Sequence, residues 1–456
     1  MLGSNWVRFV PWNRLAQCSA WYAAVWVTVG AGLLSSVASP AWAGDVQVNT
    51  YTTGAQSLPE IARDAEGNFV VVWLSDGSFG TDDSERSIQG QRFAADGSPL
   101  GDEFQVNTYT TGGQRWPSVA MADSGAFVVA WMSEGSYGDD TSDYSVQGQR
   151  FASDGTAMGG QFQINSYTTD GQGYPTVGAD AEGNFVVAWR SFGSFGDDNT
   201  GGSVQAQRFS SSGFPVDSEF QVNTYTTGGQ FPDAVAFDGD GDFVIVWSSS
   251  GSFGDDDSQT SIQAQRYAAG GNAEGGQFQV NSATPGFQTR PHAALRPNGE
   301  LVVVWEGQDN DYGGIIARRF AADGSASGND FRANAYTTSI QFAPRVAWDT
   351  AGGFVVTWSS YGSFGNDDSN NSIQQRRYAS DGSTSGQEFQ VNTVTGADQT
   401  FSDLVLDADG NAVIVWGSRA STGTDRITNS IQKTPPNLVF ADGFESGDTS
   451  AWNLGR

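Results

Sequence analysis

The sequence predicts an all-β fold, a seven-bladed β-propeller with four-stranded antiparallel blades, and three observations support this prediction. A phrase similar to Phe-Gln-Val-Asn-Thr-Tyr-Thr occurs seven times, beginning at Val46, Phe104, Phe162, Phe220, Phe278, Phe331 and Phe389. Seven tryptophans follow the same spacing, namely Trp73, Trp131, Trp189, Trp247, Trp305, Trp358 and Trp416. The segment that ends at each tryptophan is continuously apolar, as in 69–73, which predicts a strand that is buried on both faces.

Each repeat is 58 residues long, except for one of 53 residues, and contains four predicted strands. Strand a is the recurring phrase, and strand b is short and rich in small residues, as in 117–122. Strand c is the apolar run, and strand d is exemplified by 87–93. Asp and Gly residues between b and c, and between d and the next a, are typical of hairpin turns. A β-solenoid is the alternative architecture, although its coils are usually much shorter.

The two ends of the repeat array predict how the ring closes. If each b, c and d is grouped with the following a, six blades are complete and the seventh lacks one strand. The first a strand, Val46–Thr52, is then left without a blade. We expect it to complete the seventh blade, so that no sheet edge stays open. The long c–d loops and the a–b crossovers should lie together on one face of the ring.

The termini differ from the repeats. Residues 1–43 contain Arg8 and Arg14, then the apolar run 20–34 and Ala41-Trp42-Ala43, the order of a secretory signal peptide. An uncleaved membrane anchor is the alternative. We therefore predict a signal peptide at 1–43, the propeller at 44–434 and a tail at 435–456, which is either a sorting tag or a frayed end. The expected location is secreted, periplasmic or at a bacterial cell surface, with no later membrane span.

The composition excludes several classes of function. The chain has 51 acidic and 22 basic residues, a net charge of -29, so its surface repels nucleic acid and anionic membranes. Cys18 and His292 are the only cysteine and the only histidine. Thiol catalysis, Ser–His chemistry in most blades and His-ligated zinc are therefore nearly excluded.

Acidic c–d loops are the first candidate sites, because neighbouring carboxylates on Gly-rich loops can coordinate Ca²⁺. These carboxylates are Asp82, Asp83, Asp139, Asp140, Asp197, Asp198, Asp255, Asp256, Asp257, Asp367 and Asp368, with Asp309 and Asp311 in the shortened fifth repeat. The alternative is a solvated acidic rim in which Asp and Gly serve the turns. Calcium is the one cofactor that the sequence suggests.

A second set of acidic residues resembles part of a calcium loop. It comprises Asp238, Asp240 and Asp242, with Asp407 and Asp409 at the equivalent position of the last repeat. All of them occupy the turn between strands b and c, where a hairpin explains them equally well. The distal glutamate of a complete calcium loop is missing.

The fifth repeat could hold a unique site, since it has a shortened loop, His292 and Glu306. Recurrent arginines at one strand-d position, Arg92, Arg150, Arg208, Arg266, Arg319 and Arg377, are better explained by structural pairing than by ligand binding. The seven tryptophans are likewise expected in the core.

The loop sequence Gly-Ser-Phe-Gly followed by acidic residues, as in 251–257, resembles the FG-GAP repeats of integrin-type propellers and of exported bacterial repeat proteins. The resemblance covers about residues 46–432 and implies a propeller fold and an adhesive or binding role.

Three functions follow as hypotheses. The first is a monomeric, non-enzymatic binding or adhesion propeller that presents its acidic loops, with or without calcium, to a protein or a glycan. The second is a carbohydrate-active enzyme, a hydrolase or lyase, with carboxylates near the channel. The third is a structural scaffold without a ligand.

Overall fold

The computed structural model describes residues 45–193, 196–198, 200–256, 259–308, 313–367, 370–396, 398–419 and 427–435. Within this part of the chain the strands form seven four-stranded antiparallel sheets, which we call blades 1 to 7, arranged in a ring. The predicted propeller is therefore confirmed. The predicted signal peptide and most of the tail lie outside the described residues. None of the described residues forms a helix that is long and apolar enough to span a membrane.

The first strand of each blade is the innermost one. These inner strands are β2 (Gln56–Arg63), β6 (Gln114–Met121), β10 (Gln172–Ala179), β14 (Gln230–Phe237), β18 (Gln288–Leu295), β22 (Gln341–Trp348) and β26 (Asp398–Leu406). Each inner strand contacts the inner strands of both neighbouring blades, and β26 contacts β2. The seven inner strands therefore surround a central channel.

The second strand of each blade contains the recurrent tryptophan. These strands are β3 (Phe69–Ser75), β7 (Phe127–Glu134), β11 (Phe185–Ser191), β15 (Phe243–Ser249), β19 (Leu301–Gly307), β23 (Phe354–Tyr361) and β27 (Ala412–Arg419). Every residue of β3 is buried, as expected for a strand packed between neighbouring blades. The Trp73 indole N–H donates to Gln56 Oε1 at 2.9 Å, so the tryptophans belong to the core.

The third and fourth strands complete each blade. The third strands are β4 (Ser87–Phe93), β8 (Tyr144–Phe151), β12 (Ser203–Phe209), β16 (Ser261–Tyr267), β20 (Gly314–Phe320), β24 (Asn371–Tyr378) and β28 (Ile427–Thr434). The outer strands are β5 (Phe104–Gln105), β9 (Phe162–Gln163), β13 (Pro215–Gln221), β17 (Ala273–Gln279), β21 (Phe331–Arg332), β25 (Phe389–Gln390) and β1 (Val46–Gln47). Most outer strands are shorter than predicted, because the chain leaves the sheet for the next blade soon after the recurrent Phe-Gln pair.

Strand β1 closes the ring, as the sequence predicts. Val46 pairs with Ile431 and Gln47 with Ser430, so the outer strand of blade 7 comes from the N-terminal end of the propeller. The Asp45 carboxylate accepts hydrogen bonds from the amides of Thr393 and Val394 at 3.0–3.1 Å. Glu103 accepts from two successive amides of the preceding blade in the same way. The closing junction therefore repeats the contact made between consecutive blades.

The two faces of the ring differ in their connections. The hairpins between the first and second strands, and between the third and outer strands, lie on one side, which we call the turn face. There the Arg208 guanidinium donates to the carbonyls of Gly270 and Ala269 in the next blade at 2.8 and 2.6 Å. This arginine position is therefore structural. The longer connections, such as 76–86 and 135–143, lie on the opposite side, the loop face.

Candidate functional site

In five blades, 1 to 4 and 6, the described part of the acidic loop contains one buried carboxylate that stabilises the fold. The Asp82 Oδ2 atom accepts a hydrogen bond from Asn107 Nδ2 at 2.7 Å, and its Oδ1 atom accepts from the Ser84 amide at 3.0 Å. Asn107 Oδ1 in turn accepts from the Ile88 amide on β4. Equivalent bonds to the recurrent asparagine are made by Asp140, Asp198, Asp256 and Asp367, at 2.7–2.8 Å. These carboxylates tie each loop to its own blade.

The adjacent carboxylates point away from the buried ones. The exposed acids are Asp83, Asp139, Asp197 and Asp255. Asp257, Asp368, Asp309 and Asp311 lie outside the described residues. Among the residues that are described, no three His, Cys, Asp or Glu side chains are grouped so as to hold a metal ion. Calcium binding at these loops stays a prediction.

The second acidic set forms hairpin turns. Asp238 Oδ1 accepts from the amides of Asp240 and Asp242 at 3.0 Å, and Asp407 Oδ1 accepts from the amides of Asp409 and Asn411. Lys433 Nζ lies 2.8 Å from Asp407 Oδ2. Burial opposes ionisation of Asp407, but its hydrogen bonds and the Lys433 charge outweigh burial and lower its pKa. The turn geometry accounts for both sequences.

One position on the inner strands differs from blade to blade. We call it the channel position, and its seven residues are Glu60, Ser118, Thr176, Ala234, His292, Arg345 and Asp403. The flanking residues are far more uniform, with proline preceding this position in five of the blades. The position two residues earlier, Leu58 in blade 1, also differs in all seven blades. Such variation on otherwise similar strands is expected of a functional centre in a symmetric scaffold.

Three of the channel residues form a charged cluster. Arg345 Nη2 lies 3.3 Å from Glu60 Oε1, and Arg345 Nε lies 3.6 Å from Asp403 Oδ1. Glu60 belongs to blade 1 and Arg345 to blade 6, with blade 7 between them. A contact between non-adjacent blades must pass through the channel, so the cluster lies within it. Asp403 Oδ2 also accepts from the Ile61 amide at 2.9 Å.

Burial in the channel raises the pKa of three carboxyl groups. Burial and the nearby Asp403 charge raise the pKa of Glu60 to about 7, although Arg345 acts in the opposite direction. Burial also raises the pKa of Asp403, and it raises that of Asp233 on β14 to about 7. About a quarter of the Glu60 side chain, 27 %, can still touch water inside the channel, even though protein surrounds it. Glu60 is therefore a carboxyl group that exchanges its proton near neutral pH.

His292 and Glu306 have separate roles at the junction of blades 5 and 6. His292 Nδ1 accepts from the Val346 amide at 3.3 Å, and burial together with the Arg345 charge lowers its pKa well below the ordinary range. Glu306 Oε1 accepts from the Ala343 amide at 2.7 Å and from Arg290 Nη1 at 3.1 Å. Each side chain links its blade to the next one.

Six of the seven inner strands contain, near their start, a residue in the left-handed region of backbone conformation. Six non-glycine residues at one position have φ between 49° and 55°, namely Leu58, Trp116, Tyr174, Arg290, Ala343 and Phe401. The register of the inner pair shifts here, which marks a β-bulge. Blade 4 has Pro232 at this position, and proline cannot adopt positive φ. The bulge exposes Trp116 and Tyr174, whose rings lie 5.3 Å apart.

These two rings border a cleft of about 540 Å³ formed by blades 1, 2 and 3. Leu58, Leu74, Met132 and Phe192 also line it. In blades 4, 5 and 6 the positions equivalent to Leu74 and Met132 are Ser248, Glu306 and Ser359. Those polar side chains accept hydrogen bonds from the bulge amide of the following blade. In blades 4, 5 and 6, polar contacts therefore replace the apolar contacts that Leu74 and Met132 make in the cleft.

Sequence reasoning missed the charged cluster and the cleft. Glu60, Arg345 and Asp403 are not among the predicted site residues, although their position varies between the seven copies of the repeat. Trp116 and Tyr174 do not occupy the repeat position of the buried tryptophans. Their different position in the repeat is the sequence feature that indicates exposed aromatic side chains.

Comparison with known proteins supports the fold. Searches of protein families and of curated proteins found no match. A protein of unknown function from Dyadobacter fermentans matches with 10% identity and a TM-score of 0.51 over 86% of this chain and 98% of its own. The polysaccharide lyase Uly1 matches with 10% identity and a TM-score of 0.51 over 85% and 91%. The Penicillium chrysogenum α-L-arabinanase covers 70% and 93%, with 14% identity and a TM-score of 0.46.

These neighbours correct our first expectation of function, the non-enzymatic binding or adhesion propeller. Among them, Uly1 is named as a polysaccharide lyase, and this match with an enzyme overturns that expectation. The adhesive role implied by the FG-GAP resemblance receives no support from them. At this level of identity the similarity itself extends to the fold.

Proposed function

We propose that this protein is a carbohydrate-active enzyme that cleaves glycosidic bonds, with Glu60 as its general acid and the cleft of blades 1–3 as its substrate-binding site. The single observation that carries the proposal is the pair of carboxyl groups, Glu60 and Asp403, that Arg345 bridges at 3.3 and 3.6 Å inside the channel. Burial raises the pKa of both groups. Glu60 lies two residues along β2 from Leu58, which lines the cleft. A general acid is most effective when its pKa is close to the working pH.

The neighbours of Glu60 suit this chemistry. Two carboxyl groups that share a site do not both ionise readily, so the charge on Asp403 keeps the proton on Glu60. Arg345 lies between the two carboxyl groups and orients both of them. As the glycosidic C–O bond breaks, Glu60 would donate its proton to the leaving oxygen. In hydrolysis, water then adds to the remaining sugar. In elimination, a base must also take a proton from the carbon next to the breaking C–O bond, and a double bond forms between the two carbons.

The cleft provides the chemistry for binding a sugar. The Trp116 and Tyr174 side chains are about 40 % exposed and can stack on the apolar face of a sugar ring. Arg115 also lines the cleft and can donate to sugar oxygens. Asp76 and Arg86 line the cleft as well, so it combines apolar walls with polar groups that can fix the orientation of a ligand.

Cleavage assays on arabinan, xylan, alginate and pectate test the proposal directly. New reducing ends without ultraviolet absorbance indicate hydrolysis, and absorbing unsaturated ends indicate elimination. We expect Glu60→Gln to lower the rate about 100-fold or more, because the amide cannot donate the proton. Glu66→Gln, on the exposed turn 64–68, is the matched control and should keep full activity. Cleavage of none of these polymers, or an equally active Glu60→Gln protein, would overturn the proposal.

We further propose that the chain is exported and acts on an extracellular polymer, as residues 1–43 suggest. N-terminal sequencing of the protein recovered from the culture medium or periplasm tests this. A mature chain that begins near Gly44 is the expected result.

A further inference from the structure

The loop face has a second, outer set of exposed aromatic side chains. One stands at the tip of each described Gly-Ser-aromatic-Gly loop: Phe79, Tyr137, Phe253 and Phe364, which are 47–57 % exposed. We call these four residues the rim aromatics. Each belongs to a different blade, namely 1, 2, 4 and 6, and none lines the cleft. All four occupy the same position of the repeat, which indicates a shared role rather than hydrophobic residues scattered at random.

The fold holds these loops in one conformation through polar contacts. Ser78 Oγ donates to Gln105 Oε1 at 2.7 Å and accepts from the Gly80 amide at 2.7 Å, on either side of Phe79. Ser136, Ser252 and Ser363 make the same two bonds in their blades. Because the polar groups fix the backbone, the aromatic ring is presented to solvent on a pre-organised support. Pre-organisation lowers the entropic cost of binding a ligand.

The surroundings of the rim aromatics match a sugar better than a protein. An exposed carboxylate follows three of them within four residues, namely Asp83 after Phe79, Asp139 after Tyr137 and Asp255 after Phe253. An aromatic face beside a carboxylate can stack on the C–H face of a sugar and accept from its hydroxyls. A protein interface needs a continuous patch of about 800 Å² on each partner. The rim aromatics are instead separated, one to a blade.

We propose that the rim aromatics bind an uncharged polysaccharide at several points outside the cleft. This inference rests on the proposed function, because the bound polymer is the substrate chain that enters the cleft. The net charge of -29 disfavours polyanions, which is why an uncharged polymer fits. Several weak contacts along one chain add up to a much higher overall affinity.

Affinity electrophoresis in gels containing arabinan, xylan or galactomannan tests the inference. The variant replaces Phe79, Tyr137, Phe253 and Phe364 with alanine. We expect at least one polymer to retard the wild-type protein, and the apparent Kd of the variant to rise about 10-fold or more. Phe214→Ala is the matched control, since Phe214 is 72 % exposed but lies on the turn face. Its retardation should equal that of the wild type.

A kinetic comparison separates this inference from the proposed function. With a short oligosaccharide that fills only the cleft, the rim variant should keep its kcat/KM, whereas kcat/KM on the polymer should fall. Retardation that is equal for wild type and rim variant, or no retardation by any of the three polymers, overturns the inference. Retardation of wild type that the rim variant loses, without any cleavage, leaves the rim inference standing and overturns the enzymatic proposal.

Discussion

At the scale of single residues, some carboxylates of the repeat stabilise the fold, whereas others are available for catalysis. Asp82 is 1 % exposed and both of its oxygens accept hydrogen bonds from the protein. The Glu60 side chain is 27 % exposed inside the channel, and burial raises its pKa to about 7. A neighbouring pair such as Asp82 and Asp83 looks alike in sequence, yet one is buried and the other exposed.

This difference gives a prediction for stability. In Asp82→Asn, the new side-chain N–H₂ group faces either the Asn107 side-chain N–H₂ group or the Ser84 backbone N–H. One of these buried donors therefore loses its acceptor. We expect a loss of roughly 1–3 kcal/mol in the free energy of unfolding. Asp83→Asn, at an exposed position, should change it by less than about 0.5 kcal/mol. Urea denaturation measures both, and equal effects for the two variants would contradict the structural role of Asp82.

At the scale of elements, the short outer strands contribute more than their two ladder residues suggest. Val48 follows β1 and is 3 % exposed, packed with Ile431 of blade 7 and Trp73 of blade 1. Val106 follows β5 and occupies the equivalent place between blades 1 and 2. The N-terminal segment therefore seals a blade interface in the same way as an internal one.

Val48→Ala tests this closure. Because the side chain is buried, we expect a loss of roughly 1–3 kcal/mol in the free energy of unfolding, close to that of Val106→Ala. Thermal and urea denaturation of both variants measure it. If Val48→Ala were neutral while Val106→Ala was costly, the N-terminal strand would not hold blade 7 in solution.

The inner strands share one irregular conformation in six blades and differ in the side chain that they place there. Six blades place a non-glycine residue at positive φ, a conformation that costs about 1 kcal/mol or more. The surrounding bulge fixes that conformation and turns the side chain to the channel mouth. Trp116 and Tyr174 thereby reach the cleft, while Pro232 leaves blade 4 without such a side chain.

At the scale of the whole molecule, the ring gathers groups from distant repeats around one axis. Glu60 is paired with Arg345, 285 residues away, and Asp233 contributes a third carboxyl group with a raised pKa. Such carboxyl groups stay protonated in the folded protein over a pH range in which they ionise in the unfolded chain. These groups therefore contribute stability that is lost as the pH rises from about 4 to about 7.

Asp233→Asn should reduce this pH dependence. The ordinary pKa of Asp233 is 3.8 and burial raises it to about 7 in the folded protein, so the wild type binds an extra proton between these values. We expect the free energy of unfolding to decline less between pH 4.5 and pH 8 in the variant, by roughly 1–3 kcal/mol. Asp240→Asn, at the exposed turn of the same blade, should follow the wild type. Urea denaturation at the two pH values measures the difference, and equal declines would contradict the raised pKa.

The sequence by itself determined the number of blades, the four strands of each blade, the burial of the tryptophan strand and the closure by the first strand. These features follow from local patterns: apolar runs, turn residues and a repeat that is out of phase at its ends. Only the tertiary structure decided which side chains meet. The proximity of Glu60, Arg345 and Asp403, and the opening beside Trp116 and Tyr174, arise because the ring brings equivalent positions of distant repeats to one channel. The spacing of these residues along the chain does not show that they lie close together in the folded protein.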